Sequence, residues 1–136
     1  VCGRHLNLTA KRILAAEDID INLLILRELL AETCVDIDEA KDGQQALDMF
    51  KNSPEGHYQL IFMDVQMPNL NGYEATQAIR DLDRADARTV PIIAMTANAY
   101  QEDVNKALAA GMDGHLSKPV DVDALLRTLA ELFNNK

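Results

Sequence analysis

Glu17 and Asp18, Asp64, Thr96 and Lys118 carry the groups in this chain that could do chemistry together. Three carboxylates brought to one place repel one another, and a cation relieves that repulsion. Hard oxygen ligands suit magnesium, which keeps some of its waters and readily accepts phosphate oxygens. Lys118 supplies a positive charge for Asp64 or for an incoming anion, and the Thr96 hydroxyl can donate a hydrogen bond. Oxygen ligands, a cation and two donors around one carboxylate fit phosphoryl transfer to Asp64. Glu17 and Asp18 would hold the metal, Asp64 would attack phosphorus, and Lys118 and Thr96 would stabilise the equatorial oxygens. Singly, each residue is ordinary: a solvated acid in a loop, a surface lysine, a helix-capping threonine. Their conjunction is what points to a phosphate or metal site.

The elements that must position these groups follow from hydrophobic pattern. Residues 11–16 read as a short strand, and 60–63 and 90–95 are continuous apolar runs, as expected of strands covered on both faces. Val35 and Ile37 alternate with Asp36 and Asp38, which predicts an edge strand with one wet face. Residues 114–116 form a very short fifth strand. Helical spacing predicts helices over 21–32, 42–50, 72–82, 101–110 and 121–133, with 83–89 as loop. Asn22 falls in the first turn of the first helix, Gly111 is a natural stop, and Asp121 is a plausible cap. Strands alternating with helices through short loops imply an α/β fold, a doubly wound parallel sheet with helices on both faces. Ligands of such sheets bind beyond the carboxyl ends of the strands, where Glu17, Asp18, Asp64, Thr96 and Lys118 all fall.

At 136 residues the chain is one ordinary domain, and 48% hydrophobic content excludes a disordered composition. A net charge of -9, from 22 acidic and 13 basic residues, argues against a nucleic-acid-binding module. Cys2 and Cys34 form no disulfide framework or metal spacing, so a reducing, cytoplasmic setting is the expectation. No apolar run is long enough to span a bilayer, so no membrane contact by this chain is expected, although a parent protein could be anchored in one. The first residue is Val, which suggests a segment of a longer protein. Residues 1–10 read as linker or frayed terminus, 11–133 as the domain and 134–136 as a tail. A flavin protein of the same architecture would need phosphate-cradling loops and aromatics, and only 4% of residues are aromatic. No P-loop motif exists. Metal-assisted hydrolysis would need a base or acid, and His5, His57 and His115 lie in unrelated segments.

The same residues carry a family resemblance. The chain is similar to the receiver domain of two-component response regulators. "AAEDID" resembles its acidic-pair motif, with Glu17 where Asp is commoner. "IFMDVQMPNLNGYEA" resembles the phosphoacceptor strand and loop, "IIAMTANA" carries the switch hydroxyl at Thr96, and "GMDGHLSKP" carries the lysine at Lys118. The resemblance spans roughly residues 11–133. It implies a flavodoxin-like five-stranded parallel sheet of order 2-1-3-4-5 with five helices. It implies a magnesium-dependent transfer of a phosphoryl group from a histidine to Asp64, slow self-catalysed dephosphorylation, and a further metal ligand in the backbone carbonyl of Gln66. In the family a switch threonine moves toward the phosphoryl group as an aromatic residue turns inward. His115 holds that second place, either as a switch or as an exposed polar residue.

The wording "EDIDINLLILRELL" and "GMDGHLSKPV" is most similar to receivers attached to hybrid sensor histidine kinases. That implies a partner that is either a histidine phosphotransfer domain or the kinase core, docking beside the first helix. There Leu23, Leu24, Ile25 and Leu26 are consecutive, so they cannot all face the sheet. Leu23 and Leu26 are expected to be exposed as a docking patch, with Asn22 on its rim. The isolated domain is expected to be a monomer. The alternatives are a phosphorylation-independent pseudo-receiver, which would normally lack the acceptor, an acid or the lysine, and a stand-alone single-domain regulator.

Overall fold

The computed structural model describes residues 11–33, 35–65, 71–96, 101–117 and 122–134. Strands β1 (Arg12–Ala16), β2 (Asp36–Ala40), β3 (Leu60–Asp64), β4 (Ile92–Thr96) and β5 (Gly114–Ser117) form one sheet. All pairs are parallel and the order is β2-β1-β3-β4-β5. The sequence-based sheet and its order are therefore both found. The helices are α1 (Asp20–Leu30), α2 (Gly43–Asn52), α3 (Gly72–Arg80), α4 (Asp86–Thr89), α5 (Gln101–Ala110) and α6 (Val122–Asn134).

Successive strand residues point to opposite faces, and both faces are buried. Ile13, Ala15, Leu60, Phe62, Ile93 and Met95 pack with Leu23, Leu26 and Leu30 of α1 and Leu125 and Leu129 of α6. Leu14, Ala16, Ile61, Met63, Ile92 and Ala94 pack against the layer of α2, α3 and α5. The continuous apolar runs of β3 and β4 follow from this double coverage, since every residue of both strands is buried. β2 lies at the edge as expected, with Asp36 exposed, although Asp38 is half-buried like Ile37 and the alternation is not seen in burial.

Two helix starts are fixed by side chains. The Asp42 carboxylate accepts from the Gln45 backbone N–H at 2.8 Å at the start of α2. Asn71 and Glu74 form a capping box on α3.

Two expectations need correction. Residues 86–89, expected as loop, form the single-turn α4. One local ion pair and several bonds to distant residues surround it. Arg84 pairs bidentately with Asp86 at 2.6 and 2.8 Å. Its remaining nitrogen donates to the carbonyls of Phe50 and Ser53, both at 2.8 Å, and its guanidinium lies 4.6 Å over the Phe50 ring. Asp86 also accepts from the Gly56 N–H at 2.9 Å. Second, Leu23 and Leu26 are 2% and 3% exposed, inside the core. They share the sheet-facing stripe of α1 with Leu30 at three- and four-residue spacing. The exposed members of that apolar run are Leu24 and Ile25, at 52% and 42%.

The Arg84 partnership, then the Gly56 N–H, holds the Asp86 carboxyl below the ordinary aspartate range. A depressed folded-state pKa contributes stability above the unfolded value of about 3.9 and loses it as pH falls through the folded value. Asp86→Asn should therefore destabilise the domain at neutral pH, and the gap from wild type should close on acidification below that value. Urea melts of both proteins across that window check this, and a gap independent of pH would contradict it.

Candidate functional site

The sheet order puts β3 between β1 and β4, which brings together residues far apart in sequence. Glu17 follows β1, and its N–H donates to the Ala40 carbonyl at 2.9 Å, extending the pairing with β2 by one residue. Its side chain is thereby buried, at 1% exposure, while Asp18 turns outward to solvent. Asp64 is the last residue of β3 and lies across from Met95. The next N–H, that of Val65, donates to the Met95 carbonyl at 3.2 Å, so the Asp64 backbone is tied to β4, and Asp64 is 3% exposed. A buried strand ends on a carboxylate because its last residue has reached the edge of the sheet.

Carboxylate oxygens of Glu17, Asp18 and Asp64 all lie within 4.8 Å of one another. Two of the three acids are buried, so water screens their mutual repulsion weakly. Three hard oxygen donors at this separation, open to solvent through Asp18, fit a magnesium ion that keeps several waters. Thr96 is the last residue of β4, one past the residue opposite Asp64, and is buried. It pairs in register with Ser117 at the end of β5. The sequence-predicted acids and Thr96 thus share one edge. Lys118 and Gln66 lie outside the described residues. His115 sits opposite Ala94 on β5 and is exposed.

Beside the acids runs an exposed apolar stretch that does not include the expected Leu23 and Leu26. Ile19, Ile21, Leu24 and Ile25 are 49%, 58%, 52% and 42% exposed. The patch adjoins the acidic cluster directly, since the Ile19 N–H faces a Glu17 carboxylate oxygen at 3.4 Å. Asn22 is half-buried within the same turn. Nearby charges pair among themselves, Lys41 with Asp20 and Arg27 with Glu39. The hydrogen bond to the Asp20 side chain, with the negative charges of Asp20 and Glu39 behind it, raises the Lys41 pKa against an opposing effect of desolvation. Among the described residues no helix is long and apolar enough to cross a membrane.

Comparison with known proteins gives a consistent answer. The family model described as the response regulator receiver domain matches residues 13–130. A hybrid signal transduction histidine kinase I of Dictyostelium discoideum is 40% identical over 121 residues, 88% of this chain and 7% of the kinase. The chain therefore spans a small fraction of the length of that relative. The receiver domain of the sensor histidine kinase PA1611 of Pseudomonas aeruginosa, solved with a magnesium ion coordinated in its active-site cleft, superposes with a TM-score of 0.81. Identity there is 35%, covering 91% of this chain and 98% of that one. The receiver domain of the Saccharomyces cerevisiae response regulator Ssk1, solved in complex with the histidine phosphotransfer protein Ypd1, gives 0.79 at 37% identity, covering 90% and 88%.

Proposed function

The chain belongs to the response regulator receiver family, and on that footing we propose that Asp64 accepts a phosphoryl group from a phosphohistidine in a two-component phosphorelay. The observation that carries this reading is the convergence of three carboxylates within 4.8 Å on the buried strand end that bears Asp64. An Asp64 oxygen attacks phosphorus. The bond from phosphorus to the donor's imidazole nitrogen breaks, its electron pair stays on the imidazole, and an acyl phosphate forms on Asp64. Glu17, Asp18, Asp64 and the backbone carbonyl of Gln66 would hold Mg2+, which when bound supplies positive charge against the phosphoryl oxygens.

Burial of Glu17 and Asp64 fixes their carboxylates before the donor arrives, so little reorganisation is needed at the moment of transfer. Thr96, one residue past the partner of Asp64, would donate a hydrogen bond to a phosphoryl oxygen. Lys118, the residue after β5, is the cation for another. His115 is the position that would respond as Thr96 moves.

The donor is a histidine phosphotransfer domain or a kinase core, and it docks on the apolar turn of α1. Ile19, Ile21, Leu24 and Ile25 form the docking face in place of Leu23 and Leu26. The parent protein is a hybrid sensor histidine kinase, and the domain works on the cytoplasmic side of the membrane as a monomer. Phosphoryl uptake that requires Asp64 tests the core of this reading. With magnesium and acetyl phosphate the chain should gain one phosphoryl mass and Asp64→Asn none. Equal gain by both would reject Asp64 as the acceptor.

A further inference from the structure

We propose that Gly72 is a positioning residue for the acceptor, because its missing side chain is what lets the start of α3 rest on the backbone of Asp64. This rests on the phosphoacceptor reading of Asp64. A Cβ at position 72 would stand 2.4 Å from the Asp64 carbonyl oxygen, 2.8 Å from the Val65 Cα and 3.0 Å from the Asp64 carbonyl carbon. All three are backbone atoms, so no side chain can swing away. Gly72 is also not among the positive-φ glycines, which among the described residues are Gly56 and Gly111. The glycine is therefore required for space and not for backbone freedom.

Neither side of the contact can yield cheaply. The start of α3 is fixed by the Asn71–Glu74 capping box and by Ala75 and Ile79 in the core. The Asp64–Val65 peptide is tied to β4 through the Val65 N–H and the Met95 carbonyl. The Gly72 N–H donates to the Val65 carbonyl at 3.2 Å, so the same residue closes the segment that leads away from the acceptor. Ordinary contact begins at 3.4 Å. An added methyl must push the Asp64 peptide or the helix start by about 1 Å, a displacement that costs a reacting group on the order of 100-fold in rate.

The test compares wild type, Gly72→Ala and Leu129→Ala. Leu129 is buried on α6, on the other face of the sheet from α3, so its truncation loses stability without touching the acceptor. Each protein is followed for fold by circular dichroism, for the rise in melting temperature on adding magnesium, and for the rate of phosphoryl uptake from acetyl phosphate. The expected result is a folded Gly72→Ala that takes up phosphoryl groups on the order of 100-fold more slowly and shows a smaller magnesium-induced rise. Leu129→Ala should match wild type in both. A Gly72→Ala protein that behaves like Leu129→Ala would overturn the proposal. So would one that fails to fold even in the cold, since the glycine would then serve the fold and not the site. No uptake by wild type would instead overturn the phosphoacceptor reading on which the proposal stands.

Discussion

Replacing Glu17 by Gln together with Asp18 by Asn is expected to abolish the thermal response to magnesium and slow phosphoryl uptake by at least about 100-fold. The two changes keep side-chain shape and remove two of the three charges whose oxygens lie within 4.8 Å. An ion that binds only the folded state stabilises it by about 2.7 kcal/mol when present at a hundred times its dissociation constant. Wild type should therefore melt higher as magnesium is added, and the double variant should not. Without metal the order should reverse or level, because removing like charges from a poorly solvated site relieves repulsion. Calorimetric melts with magnesium and with a chelator check both halves. A variant that still responds to magnesium like wild type would place the ion elsewhere.

The second large effect concerns the face of α1. Leu24→Asp with Ile25→Asp puts two charges on a surface whose neighbouring charges are already paired. Buried aliphatic anchors at protein interfaces can each be worth about 2 kcal/mol, so losing two and burying two carboxylates should slow transfer from a phosphorylated phosphotransfer domain by 100-fold or more. Acetyl phosphate, too small to use the face, should phosphorylate the variant and wild type alike. Leu23→Asp, by contrast, should unfold the domain, since Leu23 lies in the core. Equal slowing with both donors would mean that the face acts on the acceptor site and not on docking.

These two predictions draw on different levels of legibility. The acidic site could be read from sequence because it depends on strand ends. The unbroken apolar runs of β3 and β4 mark central strands, and the topology of a parallel sheet does the rest. The phase of α1 could not be read from Leu23, Leu24, Ile25 and Leu26 alone, since four consecutive apolar residues cover most of a helix circumference. The structure shows Leu30, one turn beyond Leu26, joining Leu23 and Leu26 in the stripe that faces the sheet. The short α4 was invisible for another reason. Its supports are the carbonyls of Phe50 and Ser53 and the N–H of Gly56, all far off in sequence. Residues 72–82 read as a helix from their spacing, but the approach of Gly72 to the Asp64 carbonyl exists only once α3 is folded back on β3.

The decisive measurement is transfer from a phosphorylated histidine phosphotransfer domain, followed by intact mass on wild type and Asp64→Asn, with magnesium and with chelator. The expected result is one phosphoryl group gained by wild type, lost from the donor in step, requiring magnesium and absent in Asp64→Asn. A folded wild-type chain that takes nothing from this donor or from acetyl phosphate would contradict the phosphoacceptor assignment and leave the domain as an interaction module.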